Sequence, residues 1–143
     1  MTVSSATAIW QGGLKSGSGN FQGASGVFQG TYSFPTRFEG AKGTNPEELL
    51  AAAHSACLSM ALSAGLEQAG TPAKSVTTTA SVTMSFVNGA PRITNIKLVV
   101  RGKVPGVDQA AFLKAAEAAK GGCPVSNLFK GNTNIELDAL LLE

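Results

Sequence analysis

The stretch from Gly43 to Gly70 constrains the fold most, because it has the pattern of one long helix made mainly of small residues. Asn45 is a suitable N-cap, Pro46 fits the first helical position, and Gly70 is a typical stop. With Asn45 as the cap, Glu48 has the spacing of a capping box, in which its side chain reaches back to the cap. A helix that is small and weakly polar all round is buried on most sides, so this stretch predicts a central helix.

The segments before this helix predict short strands and loops. Ala6–Trp10 has strand character, and Gly26–Phe34 is rich in β-branched and aromatic residues. Gln11–Gly26 is rich in Gly and Ser, which indicates loops or an irregular hairpin. Pro35–Gly43 is predicted to be a loop, and it places Arg37 just before the helix.

The segments after the central helix predict a long antiparallel hairpin. Ser75–Val87 alternates apolar and polar residues throughout, which indicates a half-buried strand. Residues 88–91, Asn-Gly-Ala-Pro, are predicted to form a turn, and Arg92–Val104 predicts the returning strand. A change of phase within this second strand predicts a bulge near Asn95.

The last third of the chain predicts two helices and a final strand. Asp108 is the expected cap of a helix over Gln109–Lys120, which two glycines end. Cys123 then precedes a short helix over Pro124–Phe129, and Thr133–Leu142 is predicted to be a strand. Because strands and helices come in runs and do not alternate regularly, the fold class is predicted to be α+β.

The charge content and the length of the chain limit the class of protein to which it can belong. Charged residues are 14% of the 143 residues, and the net charge of +2 comes from scattered basic residues. Such a low content of charged residues predicts an oligomer in which a partner chain buries part of the surface. Scattered basic residues argue against nucleic-acid binding. The N-terminus lacks a signal-peptide pattern, and no apolar run approaches about 18 residues, so no membrane span is expected. A single cytoplasmic domain over residues 1–143 is the default expectation.

The two cysteines, Cys57 in the central helix and Cys123 at the start of the short one, are the main candidates for chemistry. Cysteine reacts as the thiolate, so a nucleophilic Cys57 needs a cationic or hydrogen-bonding neighbour. Arg37 and His54 are the candidates, and Glu47 is placed to fix the Arg37 guanidinium in a two-point contact. Cys123 faces free N–H groups at a helix start, which would lower its pKa if it is exposed.

The same residues also have simple structural explanations that involve no chemistry. A cysteine among small helix residues is most often core filler, and a carboxylate in a first helical turn is explained by the helix dipole. His54 is more often a hydrogen-bonded helix histidine than a base. A metal site formed by Cys57, Cys123 and His54 lacks the usual ligand spacing and a fourth ligand. From the residues alone, a reactive dithiol remains the minority hypothesis.

Two motifs change this balance. The run TRFEGAKGTNPEELLAAAHSACLSMAL, Thr36–Leu62, resembles the signature of the OsmC (osmotically induced protein C) family, and GGCPVSNLF, Gly121–Phe129, resembles its second cysteine motif. The order of elements is similar over nearly the whole chain. The resemblance favours the OsmC branch over the organic hydroperoxide resistance (Ohr) branch, because the first arginine of the chain is Arg37 in TRFEG.

The resemblance implies an α+β, OsmC-like fold in an intertwined homodimer, with antiparallel sheets wrapped around central cysteine-bearing helices. It implies a cysteine-based peroxidase that reduces organic (alkyl or lipid) hydroperoxides, and hydrogen peroxide less efficiently, in oxidative and osmotic stress defence. An apolar pocket lined by residues such as Leu50, Met60 or Phe38 would favour such substrates. No cofactor or metal is expected. The expected partners are a second copy, the hydroperoxide and an external dithiol or lipoyl-type reductant, with no nucleic acid and no membrane.

The resemblance also assigns roles to residues. Cys57 is implied to be the peroxidatic cysteine and Cys123 the resolving one, so that a Cys57 sulfenic acid becomes a Cys57–Cys123 disulfide. Arg37 is implied to hold the thiolate, in its own chain or in the partner, and Glu47 to position the arginine. The family pattern gives His54 no role. Two alternatives stay open: a thiol-disulfide exchange enzyme, and a non-catalytic dimeric binding protein on the same scaffold.

Overall fold

The structure is a computed structural model that describes residues 1–142. Those residues contain six strands and four helices, which confirms the α+β class. The chain divides into two compact units, Met1–Leu49 and the part from Leu50 onward, and each unit has its own three-stranded sheet. The single domain over residues 1–143 stays a prediction.

The first unit is built on a sheet of three antiparallel strands in sequential order: β1 (Ala6–Gln11), β2 (Ser18–Gly23) and β3 (Gln29–Tyr32). β1 agrees with the prediction. The Gly/Ser-rich segment at 11–26 forms the irregular hairpin of the two predicted alternatives, because β2 returns along β1. β3 is shorter than the predicted Gly26–Phe34, since the last predicted residues enter a helix.

A short helix, α1 (Phe34–Phe38), begins where the sequence predicts a loop, so the loop prediction for Pro35–Gly43 is wrong at its start. Ser33 is the N-cap, and its hydroxyl accepts a hydrogen bond from the Thr36 N–H at 3.3 Å. In return, the Thr36 hydroxyl accepts from the Ser33 N–H at 2.9 Å. This capping box fixes the backbone that carries Arg37.

The predicted central helix is α2 (Pro46–Gln68). Asn45 caps it as predicted, because its side-chain oxygen accepts from the Glu48 N–H at 2.8 Å. The other half of the predicted capping box is wrong: the Glu48 carboxylate accepts from the Thr44 hydroxyl at 2.7 Å. Gly70 follows the helix end with a φ of +81°, a left-handed geometry that glycine adopts without a Cβ penalty.

Two expectations about α2 need correction. Its length and hydropathy meet the criterion for a membrane span, contrary to the prediction that no apolar run is long enough. Leu58, Leu62 and Leu66 nevertheless lie buried along one side of the helix and belong to the core, as in a core helix. The prediction of burial on most sides is wrong for a single chain, since only 22% of the most apolar 18-residue stretch of α2 is buried.

The predicted hairpin begins the second unit's sheet as β4 (Ser75–Val87) and β5 (Ala90–Lys103), which pair antiparallel along their length. The turn is shorter than predicted, because Ala90 and Pro91 already belong to β5. Its two residues, at positions 88–89, both have positive φ, which is the geometry that an Asn-Gly turn favours. The predicted bulge near Asn95 is also present, as a shift of register next to Thr83 on the partner strand.

The rest of the second unit completes this sheet and covers it. β6 (Asn134–Leu141) pairs parallel with β5, so the strand order is β4–β5–β6 and the sheet is mixed. The expectation of antiparallel sheets is wrong for this strand. The helical connection between β5 and β6 allows the chain to return in parallel. α3 (Gln109–Gly122) is longer than predicted, since it continues through both glycines, and Asp108 caps it as predicted. α4 (Pro124–Phe129) agrees with the prediction.

The core of the second unit consists of apolar side chains from α2, β5 and α3. Its fully or nearly fully buried members from these elements are Leu58, Leu62, Leu66, Ile96, Leu98, Val100, Phe112, Ala116 and Ala119. Gly102 of β5 lies against the Phe112 ring, and a Cβ at this position would collide with the ring. The close approach holds α3 on the sheet, and the end of α3 carries Cys123.

Candidate active site

The two candidate cysteines lie together in the second unit. Both are free thiols, and the Sγ atoms of Cys57 and Cys123 are 2.9 Å apart. Cys57 lies on α2 and is partly exposed, whereas Cys123 is fully buried. Cys123 is at once the C-cap of α3 and the N-cap of α4, so two helices fix its backbone. One thiol can therefore meet a solute while the other is held directly behind it.

A second contact lies one helical turn from the first. The Nε2 atom of His54 is 2.7 Å from the Oγ atom of Ser126, and the two residues are 0% and 3% exposed. His54 precedes Cys57 by three positions and Ser126 follows Cys123 by three, a spacing that places each pair on one helix face. The contact confirms that His54 is a hydrogen-bonded helix histidine. Its candidacy as the neighbour that holds the Cys57 thiolate is wrong, because its partner is Ser126.

The surroundings of the two thiols differ in their effect on ionisation. Burial raises the pKa of Cys57, and the hydrogen bond and charge of Cys123 raise it further, while the Val125 N–H opposes them. Burial also raises the pKa of Cys123, but hydrogen bonds from Cys57, Ser126 and Val125 outweigh it, so this pKa is lowered overall. Within one chain, the surroundings therefore favour the thiolate form more at Cys123 than at Cys57. The predicted effect of the helix N–H groups is present, although Cys123 is buried and not exposed.

Arg37 and Glu47 form the predicted two-point ion pair in the first unit. Arg37 Nη2 donates to Glu47 Oε1 at 2.8 Å, and Arg37 Nε lies 3.2 and 3.3 Å from the two carboxylate oxygens. Glu47 is 7% exposed, so the ion pair holds a nearly buried carboxylate in the first turn of α2. The guanidinium also lies over the Phe38 ring, 5.2 Å from its centroid. A hydrogen bond of 3.2 Å from Asn45 Nδ2 to the Thr36 carbonyl ties α1 to the start of α2.

The four predicted site residues thus form two pairs, one in each unit. Sequence reasoning missed Ser126, whose only local signal is its position three residues after Cys123 in the second cysteine motif. Met60 is 76% exposed, so the predicted apolar pocket does not include it within one chain. Among residues 1–142, no group of three or more His, Cys, Asp or Glu side chains is arranged to hold a metal ion.

Comparison with known proteins places this arrangement in context. The family model "OsmC-like protein" matches residues 39–138. The chain is 47% identical over 130 residues to peroxiredoxin OsmC of Escherichia coli (strain K12), covering 90% of this chain and 91% of that protein. It is 33% identical over 100 residues, 68% of each chain, to the organic hydroperoxide resistance protein of Xanthomonas axonopodis pv. citri (strain 306). The crystal structure of an organic hydroperoxide resistance protein from Elizabethkingia anophelis matches with a TM-score of 0.77 and 28% identity, over 99% of both chains.

Proposed function

The chain belongs to the OsmC family, and on that basis we propose that it is a cysteine-based peroxidase that reduces organic hydroperoxides. The observation that carries the proposal is the pair of free thiols 2.9 Å apart, one partly exposed and one fully buried. The names of its relatives, a peroxiredoxin and organic hydroperoxide resistance proteins, support the same chemistry. Oxidative and osmotic stress defence is the matching physiological role.

The first step takes place at Cys57. Cys123 is fully buried, so a peroxide reaches the pair from the side of Cys57. The Cys57 sulfur attacks the terminal peroxide oxygen, the O–O bond breaks, and Cys57 becomes a sulfenic acid. The proton that Cys57 loses balances the leaving alkoxide, which departs as the alcohol. Since the surroundings within one chain raise the pKa of Cys57, this step needs a cation that draws the charge onto its sulfur.

Arg37 is the proposed cation. Glu47 occupies the edge of the guanidinium formed by Nε and Nη2, which leaves the Nη1 end for another anion. That end would stabilise the Cys57 thiolate and the charge that develops on the departing alkoxide. Glu47 is a positioning residue in this proposal, because its nearly buried carboxylate fixes the direction of the guanidinium. Arg37 acts on Cys57 of its own chain or of a partner chain, and complementation between variants separates the two arrangements.

The second step takes place at Cys123. Its sulfur attacks the sulfur of the Cys57 sulfenic acid, the S–S bond forms, the S–O bond breaks, and the oxygen leaves as water after protonation. A separation of 2.9 Å supports this step, since the two sulfurs start close to bonding distance. An external dithiol or lipoyl-type reductant then reduces the disulfide. The cycle uses no metal or prosthetic group, because sulfur carries both electrons.

The proposed assembly is a cytoplasmic homodimer. A single chain covers α2 only in part, since 22% of its most apolar 18-residue stretch is buried, and Met60 and Leu128 are 76% and 71% exposed. Large exposed apolar side chains are typical of a surface that a partner covers. A second copy packed against the exposed side of α2 would bury Met60 and supply the apolar surroundings that organic hydroperoxides require.

Steady-state turnover tests the proposed function. The reduced protein is mixed with dihydrolipoamide and either cumene hydroperoxide or hydrogen peroxide, and peroxide consumption is followed. The proposal predicts catalytic consumption, faster with the organic peroxide. A parallel assay without peroxide measures reduction of a protein disulfide, since a close dithiol also suits thiol-disulfide exchange. Exchange without peroxide consumption would contradict the proposal and support that alternative.

A further inference from the structure

We propose that His54 is a positioning residue for the resolving step: through the Ser126 hydroxyl, it holds Cys123 as the thiolate that attacks oxidised Cys57. The inference rests on the proposed function, which makes Cys123 the resolving cysteine. It goes beyond that function by giving a role to the buried histidine and to the serine that follows Cys123 by three positions.

The environment of the imidazole decides where its proton lies. His54 is fully buried, Nε2 faces Ser126 Oγ at 2.7 Å, and Nδ1 has no hydrogen-bond partner among the described residues. Burial lowers the pKa of His54, so the ring is neutral and carries one N–H. A buried N–H without an acceptor is rarer and more costly than an unpaired lone pair. The proton therefore lies on Nε2, and Nε2–H donates to the Ser126 oxygen.

This direction of donation determines what the serine can do. Because Ser126 Oγ accepts from His54, its own hydroxyl hydrogen is available to Cys123. A hydrogen bond from that hydroxyl is one of the contacts that lower the pKa of Cys123, together with bonds from Cys57 and the N–H groups of Ser126 and Val125. Successive hydrogen bonds that run in one direction polarise one another, so the His54–Ser126 bond strengthens the Ser126–Cys123 bond. With the proton on Nδ1, the hydroxyl would turn towards Nε2 and away from Cys123.

The neighbouring groups leave this arrangement undisturbed. The ring of Phe129 on α4 packs against the imidazole, with centroids 5.7 Å apart, and brings no charge. The titratable group from α2 that acts on Cys123 is Cys57, the other thiol of the pair. His54 gives up no proton in the cycle. It orients the Ser126 hydroxyl. The Cys123 thiolate then attacks the sulfur of the Cys57 sulfenic acid, and the displaced hydroxide is protonated and leaves as water.

The first test measures the ionisation of Cys123 without peroxide. In a Cys57→Ser background, the ultraviolet absorbance of the thiolate is followed against pH. Adding Ser126→Ala or His54→Leu should move the midpoint upward by about one pH unit, because a hydrogen bond to an anion is lost or weakened. Adding His54→Gln should restore most of the effect, since the glutamine amide also offers an N–H donor. Ser59→Ala is the matched control, because it removes a 2.8 Å serine hydrogen bond to Thr78 that involves neither thiol.

An unchanged midpoint in both Ser126→Ala and His54→Leu, with lower melting temperatures, would overturn the proposal and leave His54 as packing. If His54→Leu does not fold, Ser126→Ala alone carries the same decision. The second test keeps both cysteines and follows disulfide formation after one equivalent of cumene hydroperoxide. Ser126→Ala should slow the disulfide step about tenfold at neutral pH, whereas sulfenic acid formation should be no slower than in the parent protein, because less charge on Cys123 favours the Cys57 thiolate. If the unmodified protein forms no disulfide, the proposed function fails, whereas the ionisation result still decides the role of His54.

Discussion

The Sγ atoms of Cys57 and Cys123 lie 2.9 Å apart, although the two residues are 66 positions apart in the chain. The two thiols differ in access and in the direction of their pKa shifts: Cys57 is partly exposed and its pKa is raised, whereas Cys123 is fully buried and its pKa is lowered. A peroxide needs access to the first sulfur, and disulfide formation needs a nucleophile at the second. The proposed order of the two steps follows from this difference.

Replacing the accessible thiol tests the first step. Cys57→Ser should abolish peroxide consumption, because the remaining thiol, Cys123, is fully buried and cannot meet the substrate. Turnover of cumene hydroperoxide with dihydrolipoamide is the measurement. Ser59→Ala, a serine variant two positions away on the same helix, is the control and should keep its activity. Full activity in Cys57→Ser would show that the peroxidatic assignment is wrong.

Replacing the buried thiol tests the second step. Cys123→Ser should complete one reaction and then stall, since the Cys57 sulfenic acid has no internal thiol to condense with. With excess peroxide, mass spectrometry should find Cys57 as the sulfinic acid. Melting temperature serves as the folding control at this buried site. Sustained turnover at the original rate, without over-oxidation, would contradict a resolving role for Cys123.

The ion pair predicts a graded effect of two conservative substitutions. Arg37→Lys keeps the charge and loses the two-point contact with Glu47, so the rate constant of Cys57 oxidation should fall by about 10²-fold. Glu47→Gln keeps the shape and should cost less, about tenfold, because the guanidinium remains but is less firmly fixed. Stopped-flow oxidation with cumene hydroperoxide measures both. Equal rate constants of Cys57 oxidation in the parent protein and both variants would show that Arg37 and Glu47 take no part in the mechanism.

Mixed assemblies decide which chain the arginine serves. Two inactive variants, Cys57→Ser and Arg37→Ala, are unfolded together and refolded as a mixture. If Arg37 acts across the interface of a dimer, mixed dimers combine an intact Cys57 with an intact Arg37 and recover activity. If it acts within its own chain, the mixture stays as inactive as its components. Light scattering on the same samples measures the mass of the assembly, and the proposed homodimer predicts the mass of two chains of 14.5 kDa.

The buried histidine predicts a dependence of stability on pH. Burial lowers the pKa of His54 from its ordinary value of 6.5, so below that value the unfolded chain binds a proton that the folded chain resists. Stability should therefore fall as the pH drops below about 6.5 towards the folded pKa. Denaturant titrations at pH 7.5 and 5.5 should show a smaller loss in His54→Gln than in the parent protein. The same loss in both would contradict a neutral, buried imidazole.

Local signals in the sequence predicted most of the elements and one pair of the site. Asn45 and Gly70 mark the ends of the central helix, and strict alternation marks β4 (Ser75–Val87), because these signals depend on neighbouring residues. Arg37 and Glu47 are ten residues apart on either side of one short connection, so their pairing was also within reach of sequence reasoning.

The remaining features depend on contacts that no local pattern encodes. The short helix α1 (Phe34–Phe38) uses threonine where a capping box normally has Glu or Gln, so its start signal is weak. The His54–Ser126 contact joins residues 72 positions apart and arises only when α2 and α4 pack together. The cysteine pairing likewise came from the family resemblance and not from spacing.

Single-turnover mass spectrometry is the decisive test of the proposed two-cysteine peroxidase cycle. Reduced protein is mixed with one equivalent of cumene hydroperoxide, with hydrogen peroxide in parallel, and quenched over time. The proposed cycle predicts a rapid loss of two hydrogens, which peptide mapping should assign to a Cys57–Cys123 disulfide. The reaction should be faster with the organic peroxide. Slow or absent oxidation by both peroxides would contradict a peroxidase, even though the chain belongs to the OsmC family.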